Sequence, residues 1–216
     1  MKKFVLTAAA AAVILFTVTG CAKRVDYSDY VSERRTDIFV YEDDDVSIKA
    51  YCSEKEQPYA ADGIKGEMCP VVELFVSLPK NPQELNASVE GLGGEMNYRA
   101  VENCYYLSFS AQAFNKTAVD ITLDYDGESK TYSALSVKYD GVMSCDEAVL
   151  CAVEYNRELF DKLTAGGLFD GEIYVRLLHD EGCYYYVGVC DKQKHITAFL
   201  IDGEHGKVIT TKEIDA

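Results

Sequence analysis

No two of the eight cysteines stand at C-x-x-C spacing. That argues against a zinc ribbon and against a thioredoxin-like redox site. Histidine is scarce: His179, His195 and His205 are the only three. None belongs to an H-E-x-x-H pair, and none lies two or four residues from another, so no metal site is expected. No G-x-S-x-G elbow and no S-x-x-K set stands at a strand-to-helix turn. Nothing in the spacing favours a Cys/His nucleophilic pair. No catalytic residue and no cofactor is therefore assigned. Positive charge is also short, with 21 Lys+Arg against 36 Asp+Glu and a formal net charge of −15. Such a surface argues against a nucleic-acid partner and against charge-driven adhesion to anionic lipid. No apolar run reaches the roughly 20 residues of a membrane-spanning helix.

What is present begins with the first 21 residues. Lys2 and Lys3 form a short positive segment, and Phe4 to Val18 holds only Ala, Val, Leu, Ile, Phe and two Thr. That is the length of a signal peptide. The run closes on Val18-Thr19-Gly20-Cys21, which resembles the lipobox of bacterial lipoproteins. The resemblance implies cleavage before Cys21 and a thioether from Cys21 to diacylglycerol. Residues 1–20 are then the signal peptide, and the protein is lipid-anchored on the extracytoplasmic face of the cell membrane. Two or three acyl chains hold a protein far more firmly than one. Residues 21–36 read as the lipidated Cys and a polar, flexible tether.

Apolar content is that of a folded chain, so disorder is not indicated. The residues after Cys21 suffice for one large or two small cores. Seven cysteines follow Cys21: Cys52, Cys69, Cys104, Cys145, Cys151, Cys183 and Cys190. The number is odd, so at least one thiol stays unpaired or pairs between molecules. Most sit inside apolar strand or helix patterns, where a small buried hydrophobe is the default reading.

Residues 37–140 carry a β pattern. Val46, Ile48, Ala50 and Cys52 alternate with Ser47, Lys49 and Tyr51, the period-two mark of a half-buried strand. Cys69 to Leu78 is almost wholly apolar and reads as a central strand. Leu85–Val89, Glu95–Val101, Tyr105–Ala111, Ala118–Tyr125 and Lys130–Tyr139 follow, with Asp126-Gly127 as a hairpin signal. About eight short strands with no helix between them indicate an antiparallel sandwich. The pattern resembles an immunoglobulin-like or fibronectin-type domain, though the chain has no Trp.

Residues 141–216 change period. Ser144-Cys145-Asp146-Glu147 reads as a capping box. Val149, Ala152, Val153, Leu159, Phe160 and Leu163 recur at helical spacing up to Gly166-Gly167. Gly171–Leu178, Cys183–Cys190, Ile196–Ile201 and a short return at Lys207–Ile214 read as strands. One helix on a three- to four-strand antiparallel sheet is expected, a small α+β domain. The helix opening Asp146-Glu147-Ala148 and the closing segment Ile201-Asp202-Gly203-Glu204-His205-Gly206-Lys207-Val208 resemble a PepSY-type module. That resemblance implies control of an exported peptidase as one possible role.

Other short segments have plain readings. Gly203–Lys207 lacks the G-x-x-x-x-G-K-[ST] spacing of a phosphate loop and reads as a turn. Glu42-Asp43-Asp44-Asp45 has neither EF-hand spacing nor its Gly and reads as a solvated loop. Asp124-Tyr125-Asp126-Gly127 is likewise a turn. Tyr184 and Tyr186 share one strand face and Tyr185 takes the other; one face packs on the helix and the other can present rings for recognition. The expectation is a mainly β, lipid-anchored binding or interaction protein, with peptidase regulation as the alternative and an enzyme last.

Overall fold

The computed structural model describes residues 25–215. Cys21 and the lipobox lie outside them. Strand β1 (Val31–Glu42) is shared by two layers of strands. The chain continues through β2 (Ser47–Gln57), β3 (Glu67–Ser77), β4 (Asn86–Val89), β5 (Leu92–Glu95), β6 (Asn97–Arg99), β7 (Cys104–Phe109), β8 (Ala118–Tyr125) and β9 (Glu128–Ser136). Two helices follow, α1 (Cys145–Tyr155) and α2 (Arg157–Lys162), then a small hairpin of β10 (Thr164–Ala165) and β11 (Leu168–Phe169). Strands β12 (Gly171–His179), β13 (Cys183–Asp191), β14 (Ile196–Asp202) and β15 (Val208–Ile214) complete the chain.

One edge of β1 pairs antiparallel with β2 from Glu33↔Lys55 to Glu42↔Ser47. Its other edge has two partners. The first residues pair in parallel with β12, Val31 with Ile173 and Arg35 with Arg176. Further on, Phe39 and Val40 pair with Ser136 and Leu135 of β9. A bulge between Arg35 and Asp37 separates the two pairings; the extra residue sharpens the local twist and re-aims the strand. Strands β1 to β9 curl into a nearly closed, barrel-like sheet. Its interior is filled by alternating residues such as Phe39, Ile48, Ala50, Leu74, Ile121 and Leu123, all 0% exposed.

Strands β12 to β15 extend the same sheet from β1. Helix α1 covers one of their faces, with Ala148, Val149 and Ala152 packed among Ile173, Val175, Leu177, Tyr185 and Phe199. The helix starts where it does because Ser144 accepts a hydrogen bond from the Glu147 amide at 3.2 Å while the Glu147 carboxylate accepts from the Ser144 amide at 2.7 Å. Two otherwise orphaned donors are satisfied this way. It stops at Asn156, whose side chain turns to cap α2 by accepting from the Leu159 amide at 3.2 Å.

The expected architecture of an immunoglobulin- or fibronectin-like sandwich followed by a PepSY-like α+β domain is corrected. A single 13-stranded sheet runs through both regions, joined by the parallel pairing of β1 with β12. Two helices are present where one was expected, because Asn156 interrupts the run before Gly166. The tether expected over residues 21–36 is also folded from its middle onward. Tyr27–Tyr30 is a 3-10 turn and Val31 opens β1. Tyr27 sets its ring edge-on to Phe160 at 5.0 Å and to Phe169 at 5.4 Å. Apolar anchoring of that kind outweighs the polar composition that reads as a tether.

Candidate ligand-binding face

On β12 and β13 the face away from α1 carries the residues that alternate with the core. Tyr186 and Arg176 are cross-strand partners there, with the guanidinium carbon 5.5 Å from the ring centroid. Arg176 is paired across the parallel junction with Arg35 of β1. Arg35 lies over the Tyr51 ring of β2 at 4.2 Å. Tyr51 meets Phe75 of β3 edge-on at 5.4 Å, and Phe75 meets its partner Tyr106 of β7 at 5.1 Å. Arg99 of β6 closes the row, 3.4 Å over the Tyr106 ring. Every member is half-buried. The row crosses β13, β12, β1, β2, β3, β7 and β6 in that order, so at one strand spacing per step it is about 29 Å long.

An ionic rank lies beside it. Glu33 is 1% exposed and accepts from Arg176 Nε at 2.7 Å, from Arg176 Nη2, and from the Tyr59 hydroxyl at 2.7 Å. Lys55 Nζ stands 3.7 Å from Glu33 and 2.6 Å from Glu73, and the Tyr106 hydroxyl donates to Glu73 at 3.1 Å. Burial opposes the charge of Glu33, but the hydrogen bonds and charge of Arg176 outweigh it and hold the carboxyl below its ordinary range. Burial lowers Arg35 from its usual value even with Glu33 nearby. Among the described residues neither Arg35 nor Arg99 forms an ion pair, and Arg35 Nε is buried without a hydrogen-bond partner. Lys49 shares the β2 face of Tyr51 and Lys55. This band therefore sets Arg35, Arg99, Arg176, Lys49 and Lys55 against Glu33 and Glu73, positive on a chain of net charge −15.

The loop from Pro58 to Gly66 roofs one end of the face. Glu56 accepts from the amides of Ala60 and Gly66 at its two ends, and Lys65 donates to the Asp29 carbonyl at 2.7 Å. Gly63 sits at φ +82° against the Asp191 backbone, where a Cβ would lie 2.5 Å from the Asp191 oxygen. Beneath the loop, Glu172 is 0% exposed and neither carboxylate oxygen has a well-formed hydrogen bond, although the backbone amides of Gly63 and Asp62 approach it. Burial, then the charge of Glu56, pushes its carboxyl up to about 7. The buried Tyr174 hydroxyl beside it is unpartnered.

The sequence-singled segments fall elsewhere. Asp43 caps the β1–β2 turn by accepting from the Asp45 and Val46 amides and from the Tyr41 hydroxyl. Asp126 and Gly127 form the β8–β9 turn at φ +52° and +78°. Asp202 ties the 203–207 turn by accepting from the Glu204 and His205 amides. His195 and His205 lie against Asp191 and Asp202 in separate turns, and His179 ends β12. The structure brings none of these histidines together, and among the described residues no group of three metal-ligating side chains converges. The seven cysteines from Cys52 to Cys190 are free thiols, five of them buried. Tyr185 is in the core and donates to the Met143 carbonyl at 2.6 Å, while Tyr184 and Tyr186 are half-buried on the other face. Among the described residues no helix is long and apolar enough to cross a membrane.

The row itself has no linear signature. Each strand contributes one arginine or one ring, and the members become neighbours only through pairing. The one legible trace was the polar alternation of Lys49 and Tyr51 along β2. No protein-family model, curated protein or solved structure matches the chain.

Proposed function

We propose that this is a non-catalytic binding protein of the cell envelope, held at the membrane through lipid on Cys21 and engaging its ligand with the arginine–aromatic face. The observation that carries the reading is the row from Tyr186 to Arg99: stacked rings and guanidinium groups, half-buried and therefore fixed in place, with one edge left to solvent. Preordered rings and arginines of this kind lose little conformational freedom on binding and are enriched at recognition surfaces.

The anchored arrangement sets the fold close to the membrane. Only residues 22–24 separate Cys21 from the first described residue, so that residue stands within about 14 Å of the lipidated cysteine. The chain enters on the helix side, where Tyr27 packs on Phe160 of α2. Tyr186 and Arg176 lie on the other face of β12 and β13, and the loop that roofs one end of that face reaches the N-terminal turn through Lys65 and Asp29.

Two measurements on cells test this. The chain from cells grown with labelled palmitate carries label, and Cys21→Ala abolishes it. Iodination of tyrosines on intact cells is slower at Tyr51, Tyr106 and Tyr186 than in the purified protein. Tyr139 and Tyr155, 51% and 60% exposed elsewhere on the surface, serve as references. Absence of label in the native chain, or protection spread equally over all five tyrosines, would refute the proposal.

A further inference from the structure

We infer that the face binds an acidic polysaccharide, laid along the row against the exposed ring edges of Tyr51, Phe75 and Tyr106 with carboxylates on Arg35 and Arg99. The inference rests on the reading of this row as the ligand face and names the class of ligand. Charge is the first argument. The band holds five cationic side chains and two carboxylates, with a third, Glu172, buried under the loop at one end, in a chain that is otherwise strongly acidic. Arg176 and Lys55 are engaged with Glu33 and Glu73, whereas Arg35 and Arg99 stack on rings without a direct ion pair among the described residues, Arg35 feeling Glu33 and Glu73 only at longer range. A guanidinium stacked on a ring can still offer N–H groups at its edge to a carboxylate; on Arg35 these are the Nη groups, since its Nε is buried.

Spacing is the second argument. Arg35 and Arg99 stand on β1 and β6 with β2, β3 and β7 between them, about 19 Å apart at one strand spacing per step. A small anion cannot reach both, whereas an extended polyanion can. The aromatic span between the two arginines suits a polymer of rings, whose C–H groups pack against the ring edges that the guanidinium groups leave uncovered.

Shape separates a saccharide from an acidic peptide. A peptide can add a strand to an open edge, seat side chains in pockets, or lay an acidic motif on an arginine cluster; the aromatic span between the two arginines favours a polymer of rings over the last of these. Strands β1, β2, β3 and β7 are each paired on both sides, so the middle of the row offers no free backbone. Clefts of about 470 to 540 Å³ do occur on this molecule, between Val25 and α1, beside His195, and beside His205, and none is lined by a residue of the row.

The test uses the exported chain purified in detergent, with polygalacturonate and its fully methyl-esterified form as probes. The two differ in charge and share a backbone. The acid form binds roughly tenfold or more tightly than the ester, and added salt weakens it. Arg35→Gln with Arg99→Gln lowers affinity for the acid by roughly tenfold or more, and Arg157→Gln on α2 leaves it unchanged. Arg99→Gln alone, on the terminal strand β6, gives the same direction if the change at Arg35 disturbs the sheet. Equal binding of acid and ester, or wild-type affinity in the arginine variants, overturns the inference. If neither polymer binds while tyrosine protection on cells persists, the ligand class is wrong and the binding face stands. If that protection is missing as well, both fall.

Discussion

Glu172→Gln should change how the stability of this protein depends on pH. Glu172 is fully enclosed and faces the charge of Glu56, and the backbone amides of Gly63 and Asp62 approach it too poorly to offset its burial. Its carboxyl titrates near 7 in the folded chain, against an ordinary value of 4.5. Between those values the folded state keeps a proton that the unfolded state releases, so stability falls as pH rises through the window. The difference of about 2.5 pH units at 1.36 kcal/mol each corresponds to about 3 kcal/mol, absent below pH 4.5 and fully present above pH 7. Glutamine has nearly the same shape and does not ionise. The variant should therefore gain about 3 kcal/mol relative to the native chain on moving from pH 4.5 to pH 8. Urea unfolding followed by far-ultraviolet circular dichroism at several pH values reads this directly. A fixed offset from the amide group cancels in the comparison. A stability difference between the two proteins that stays constant across the window would refute the argument.

Three further substitutions test the ion pair beside the face and the cap of the helix behind it. Glu33→Ala removes the carboxylate that neutralises Arg176, while Lys55 keeps Glu73 at 2.6 Å. The penalty should be about 2–3 kcal/mol, below the 3–5 typical of a fully enclosed pair, because Arg176 keeps 33% of its side chain in water. Adding Arg176→Met to it should recover part of that loss, and equal loss in the single and double variants would count against a buried pair. Ser144→Ala removes the cap of α1 and should cost about 1 kcal/mol, read as a lower urea midpoint; an unchanged midpoint would show that the capping box is dispensable.

The local elements were legible in the residues themselves. The alternation at Ala118–Tyr125 reproduces β8 residue for residue, since one buried face imposes period two whatever lies opposite. Ser144 and Glu147 marked the start of α1 for a similarly local reason. Pairing was not legible. Nothing in Val31–Thr36 announces a strand: its charged residues Glu33, Arg34 and Arg35 fit a tether on composition. They are held because β2 and β12 take both of its edges and Arg176 neutralises Glu33.

The sequence by itself determined that the chain is mainly β, where its helical segment begins, and that its surface is acidic. Those properties follow from residue type and from periods only a few residues long. Tertiary structure alone decided that both regions share one sheet and that Tyr186, Arg176, Arg35, Tyr51, Phe75, Tyr106 and Arg99 stand in line. Hydrogen bonding between strands far apart along the chain puts those side chains side by side, and no local pattern encodes it.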